Sequence, residues 1–175
     1  MRLTLFALLT AALLCAQSPA QEPAKMQLTS ASFEHGKPIP QRHAYRGEGQ
    51  NLQPPLTWSG APGAARSFAL VCDDPDAPRP MPWVHWVLYN LPATVSALAE
   101  GKTAAGTEGT SDFKETGWGG PFPPRGHGRH RYFFRLYALD ADLNLKPGLT
   151  RDGLMKALEG HIVVTAELMG TYERK

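Results

Sequence analysis

The chemistry in this chain gathers in two short stretches. The first is Asp73-Asp74-Pro75-Asp76-Ala77-Pro78, followed by Pro82-Trp83-Val84-His85-Trp86. It sets three carboxylates among prolines that fix the chain path, and then brings an imidazole in on an apolar run. In Ser67–Asp74 the alternation puts Phe68, Leu70, Cys72 and Asp74 on one face of a strand. In the next run Trp83, His85, Val87 and Tyr89 would share a face, so Asp74 and His85 can meet across neighbouring strands. Such a pair can hold an imidazole for ligand binding or proton transfer. It can equally be an ordinary buried Asp–His hydrogen bond, which these two strands alone favour. Cys72, two residues from Asp74, has nothing beside it that would make a thiolate and reads as inert core.

The second stretch is Gly119-Gly120-Pro121-Phe122-Pro123-Pro124-Arg125-Gly126-His127-Gly128-Arg129-His130-Arg131-Tyr132. A proline-stiffened turn leads into a glycine loop and then into a strand with His130, Tyr132, Phe134 and Leu136 on one face. Three readings are open. His127-x-x-His130 has the spacing of two metal ligands, but no acid or cysteine lies at a matching interval. The basic cluster Arg125–Arg131 could touch nucleic acid, but it is short. The third reading is a pocket rim where backbone N–H groups, His130 and the Tyr132 hydroxyl converge on a small anion, with glycines allowing close approach.

Both stretches need a frame of strands. The sequence offers roughly eight strand candidates against one clear helix, which predicts a mainly β chain: an antiparallel sandwich or Greek key with short peripheral helices. Strands are expected within 27–33, 66–74, 83–90, 129–139 and 161–169. The helix is expected from Thr150 as N-cap to Glu159, with Gly160 closing it. Pro54 and Pro55 argue that 51–58 is an edge or a bulge. Residues 92–109 read as a long surface connection, and His35 and His43, set among turn residues, as solvated.

Composition narrows the function classes. With 18 Lys+Arg against 16 Asp+Glu the formal charge is +2, too close to neutral for a nucleic-acid footprint. Met1–Ala20 has the charge, apolar run and small residues of an export signal, which predicts a periplasmic or secreted protein whose single domain is 21–175. The apolar run is shorter than the roughly 20 residues of a spanning helix, so no transmembrane segment is expected. Lipidation at Cys15 is disfavoured because Leu14, not a small residue, precedes it. After cleavage only Cys72 remains, so no intrachain disulfide is expected.

Together the two stretches resemble the phosphatidylethanolamine-binding protein (PEBP) family, which includes Raf kinase inhibitor protein, and within it the bacterial branch. The resemblance rests on Asn51 with Pro54-Pro55-Leu56-Thr57-Trp58, Asp74-Pro75-Asp76-Ala77-Pro78, Trp83 with His85, Asn90, Gly120-Pro121 with Pro123-Pro124, His130-Arg131-Tyr132, Leu136–Leu139, and Gly160-His161 through Tyr172. It implies a PEBP-type β-fold with a small pocket for phosphate or phosphoethanolamine-like groups, no cofactor, no metal and no catalysis. It also implies that a kinase or protease target is open to such a protein. The pocket would use Asp74, Pro78, His85, His130 and Tyr132, with Asp76 and Trp83 nearby. Phe122 stands where the family has a glycine whose N–H reaches the ligand. No C-terminal helix of the kind that borders the pocket in the animal proteins is expected after Tyr172. The resemblance implies cis peptides in this loop, with Ala77-Pro78 and Met81-Pro82 as the candidates. Asp74 is expected to orient and charge His85, favouring anions below about pH 7. The alternative function is a metal-independent hydrolase built on the Asp–His cluster.

Overall fold

The computed structural model describes residues 25–103 and 105–175; the expected export signal lies outside them. In chain order the elements are β1 (Gln27–Thr29), a 3-10 turn (Gln41–His43), β2 (Leu56–Ser59), β3 (Ser67–Asp74), β4 (Trp83–Pro92), β5 (Ala97–Leu98), β6 (Thr107–Glu108), β7 (His130–Leu139), α1 (Arg151–Ala157) and β8 (Ile162–Tyr172). The chain is mainly β. Two antiparallel sheets form, one in the order β1-β2-β5 and one in the order β6-β4-β3-β7-β8.

β3 lies inside the larger sheet and is buried along its whole length. Its even positions Phe68, Leu70 and Cys72 face a core shared with Leu28, Leu56, Trp58 and Leu98 of the smaller sheet. Its odd positions Ala69 and Val71 face a second core, closed by Leu154 and Leu158 from α1 and its end. Each large side chain so buried contributes on the order of 1.5–3 kcal/mol, and the sheet is fixed between the two layers. Burial pushes the Cys72 thiol pKa well up, in keeping with inert core.

Several expectations are corrected. Pro54 and Pro55 precede β2, which begins at Leu56 and is the middle strand of its sheet. The prolines end where ladder hydrogen bonding starts, so they cost it nothing. Residues 92–109 contain β5 and β6, which pair with Leu56–Thr57 and Leu88–Tyr89. His43 is not solvated: the 3-10 turn tucks it fully inside, with its Nδ1–H donating to the Leu52 carbonyl at 2.7 Å. Among the described residues every peptide bond is trans, Ala77-Pro78 and Met81-Pro82 included. The 75–82 loop is held instead by the Asp76 N–H on Asp74 Oδ1 (2.8 Å) and by Arg79 donating to the Met81 and Pro82 carbonyls. Helix α1 forms where expected, with the Thr150 hydroxyl accepting from the Gly153 N–H.

The alternation assumed for β4 also fails, for a specific reason. Asp73 pairs with Val84 but Cys72 pairs with Trp86, so His85 is an extra residue opposite β3. This bulge puts Trp86 and Leu88 toward the inter-sheet core, and Val84, Val87 and Tyr89 toward α1. His85 therefore does not share a face with Val87 and Tyr89. A bulge of this kind re-aims a side chain at the end of a sheet.

Candidate functional site

The even face of β3 ends in Asp74, which pairs with Trp83 of β4. On the other flank β7 opens with His130 and Tyr132, both buried. These residues, with His85, form the floor of a cavity of about 540 Å³. Pro78 and Arg79 of the proline loop, Phe113, and Phe122-Pro123-Pro124 complete its walls.

Asp74 is 3% exposed, and its two oxygens are both engaged. Oδ1 accepts the Asp76 N–H, and Oδ2 accepts His130 Nδ1–H at 2.7 Å. The far side of the same ring, Nε2, lies 2.7 Å from His127 Nδ1 on the glycine loop. A carboxylate, a buried imidazole and an exposed imidazole thus run in series outward. Asp74 orients His130; it does not orient His85 as the sequence suggested. Two histidines on one face both lay within reach, and the choice is made by a third segment: His85 Nδ1–H donates to the Gly119 carbonyl at 2.6 Å.

That contact fixes His85 closely. The Gly119 N–H also donates to the His85 carbonyl at 2.9 Å, and the Gly120 N–H to Asn51 Oδ1 at 2.8 Å. Asn51 in turn donates to the Trp118 carbonyl. The imidazole packs edge-on to Tyr132 at 5.0 Å and to Phe113 at 5.5 Å. Burial holds its pKa below the ordinary 6.5, against the smaller raising effects of the Gly119 bond and Asp74. The expected charging of His85 is overturned: burial keeps it neutral.

Tyr132 is fully buried, and its hydroxyl has no partner among the described residues. Burial, reinforced by Asp74, raises its pKa far out of the physiological range, so it is a phenol donor. Trp83 Nε1–H is likewise buried and unpartnered. Trp83 carries the Arg79 guanidinium over its ring at 4.9 Å, and that guanidinium is engaged by Asp112 at 2.6 Å.

Two remaining expected residues take peripheral places. Asp76 is outside the cavity wall; it clamps Arg131 through the backbone N–H, Nε and Nη2, and Arg131 holds its carboxyl below the usual range. Phe122 does line the cavity, but it stands at the mouth, half-exposed, between Tyr45 and Arg174. Its ring leaves the 540 Å³ open. Arg79, Phe113 and the pinning pair Asn51–Gly120 were not anticipated, although the φ of +56° at Asn51 fits a residue tolerated in left-handed backbone. No group of three or more His, Cys, Asp or Glu among the described residues has the arrangement of a metal site.

Two buried neutral imidazoles give a pH signature. His43 is lowered like His85, chiefly by burial, so the folded state binds fewer protons than the unfolded chain. The stability they contribute is complete above their unfolded value near 6.5 and is lost as pH falls through the lower folded values. Urea midpoints measured from pH 7.5 down to 5 should fall below pH 6.5. His43→Gln should flatten part of that fall; an unchanged midpoint across the range would contradict both assignments.

Comparison with known proteins agrees with the fold. The family model described as phosphatidylethanolamine-binding protein matches residues 29–173. A UPF0098 protein of Methanothermobacter thermautotrophicus is 44% identical over 155 residues, covering 85% of this chain and 99% of that protein. The crystal structure of a PEBP homologue from Chlamydia trachomatis superposes with a TM-score of 0.80 at 42% identity, covering 86% of this chain and 99% of the other. E. coli YbcL, described as a member of the mammalian PEBP family, gives a TM-score of 0.81 at 34% identity, covering 87% and 100%. The chain belongs to the phosphatidylethanolamine-binding protein family. Its β-fold and two-sheet arrangement are those of that family.

Proposed function

We propose that the cavity is a non-catalytic site for a small oxyanion, either inorganic phosphate or a phosphorylated head group such as phosphoethanolamine. One observation carries this: Tyr132 lines the cavity, and its hydroxyl is fully buried and without a partner among the described residues. A buried donor left unmade costs about 1–3 kcal/mol, which an acceptor oxygen in the cavity would recover. Trp83 Nε1–H offers a second donor of the same kind. The wall residues include no Ser, Thr or Cys, and the carboxylates there are already engaged, Asp74 by His130 and the Asp76 N–H and Asp112 by Arg79, which favours binding over hydrolysis. An exported protein with this site would meet its ligand outside the cytoplasm. A kinase or protease target would engage it at the rim, where Phe122 is 39% exposed and Met81, just beyond the cavity wall, is 58% exposed.

Calorimetry with phosphate and phosphoethanolamine at pH 6 tests the reading. The protein should bind at least one of them, and Tyr132→Phe should weaken binding roughly 10–100-fold, the worth of a hydrogen bond to a charged group. Unchanged affinity in that variant would remove the hydroxyl from the site. Incubation with phosphoesters and simple esters should give no turnover; turnover abolished by His85→Ala would favour the hydrolase.

A further inference from the structure

We propose that this site selects a singly charged, protonated oxyanion, a phosphate or phosphate monoester that still carries one O–H, and that His85 Nε2 receives that proton in a hydrogen bond. The inference rests on the oxyanion reading above and narrows it to one protonation state of the ligand.

The argument begins at Gly119. A carbonyl can only accept, so the 2.6 Å contact requires the hydrogen on His85 Nδ1. The carbonyl cannot turn away, because the Gly119 N–H is bonded to His85 and the Gly120 N–H to Asn51. In the neutral ring Nε2 is then a bare lone pair. The ring lines the cavity, with the Gly120 backbone also beside it. The site thus offers an acceptor where a fully ionised anion would need a donor.

The surrounding charges point the same way. Around His85 are Asp74 from β3, His130 and Tyr132 from β7, and Arg79 and Asp112 at the mouth, with Asp73 of β3 acting on it from the reverse face of the sheet. The Arg79 guanidinium is bound to Asp112, the His130 ring to Asp74, and Asp73 to Arg135 on the opposite face. Arg79, the one Lys or Arg among the described wall residues, is therefore already matched to a carboxylate. A dianion would enter without a counter-charge and would set an oxygen lone pair against Nε2. A monoanion satisfies the set: its O–H donates to His85 Nε2, and its other oxygens accept from Tyr132 and Trp83. The site reads the proton on the ligand.

Methyl phosphate and sulfate separate the possibilities, because sulfate is a dianion with no proton across the whole range. Both should be titrated calorimetrically at pH 5.5, 6.5, 7.5 and 8 in a non-coordinating buffer. Methyl phosphate affinity should fall roughly 50–100-fold from pH 5.5 to 8, following loss of its monoanion above a second pKa of about 6. Sulfate should bind at least about tenfold more weakly at pH 5.5, the cost of roughly one mismatched hydrogen bond. His85→Gln, whose amide can turn to donate as well as accept, should erase most of that discrimination. A flat methyl phosphate profile, or retained discrimination in the variant, would overturn the inference. Sulfate tightening in parallel with methyl phosphate would place the proton on the protein and overturn it too. Failure of both anions to bind at any pH would instead sink the oxyanion reading itself.

Discussion

Asp74→Ala is expected to lower the unfolding free energy by about 3–5 kcal/mol, because it strips the acceptor from two donors at about 1–3 kcal/mol each. The carboxylate is 3% exposed, and it satisfies His130 Nδ1–H on one oxygen and the Asp76 N–H on the other. Alanine leaves both donors buried or half-buried with no acceptor, and releases the proline loop from the end of β3. Asp76→Ala is the matched control. It removes more hydrogen bonds, but its partner Arg131 is half-exposed, so the loss should stay within about 1 kcal/mol. Urea denaturation of the two variants side by side measures the contrast. Equal losses would show that burial of the Asp74–His130 pair is not what matters.

Gly120→Ala should be comparably severe, at about 3 kcal/mol or more, for a steric reason. A Cβ at Gly120 would strike the His43 carbonyl and come within 2.6 Å of the Ala44 carbonyl carbon and 2.7 Å of the Tyr45 nitrogen. All three are backbone, so no side chain can swing aside. Relief requires the 119–121 segment to lift, which withdraws the Gly119 carbonyl from His85 and loosens the floor of the cavity. Gly126→Ala provides the comparison. Nothing lies within 4 Å of its added Cβ, and the cost is the left-handed φ of +73° alone, about 1–2 kcal/mol. Thermal unfolding of both variants, with phosphate affinity read in parallel, checks the difference. Full affinity in Gly120→Ala would mean that the segment does not position His85.

Much of the frame was legible because it is local. The alternation in Ser67–Asp74 gives the two faces of β3 directly, and that in His130–Leu136 puts His130 and Tyr132 on the side that becomes the cavity. The resemblance of the two proline-rich stretches to one family added what periodicity cannot give, namely that they close on the same space. What escaped depends on distant segments. His43 sits among turn residues, and its burial comes from Leu52 and Trp118 folding over it. The partner of Asp74 was misread because the decision belongs to the Gly119 carbonyl, 34 residues after His85. Arg79 and Phe113 give no local signal of reaching the cavity. The proline loop is held by side-chain bonds of Arg79 and Asp74 that no dipeptide preference encodes.

The course of β4 beside β3 has a mechanical consequence. Besides the extra residue at His85, a second register shift falls between the pairs Leu70↔Leu88 and Phe68↔Leu91, next to Asn90, whose φ is +54° and whose side chain is tied to Thr107 and Leu145. The two shifts behave as a pair of dislocations that cancel: odd-numbered Trp83 and Leu91 turn inward at the two ends, while even-numbered Trp86 and Leu88 turn inward between them. Healing one dislocation alone, by deleting a single residue, would reverse every side chain on one stretch of the strand. Healing both would restore a regular ladder that packs well and leaves the imidazole no place at the cavity.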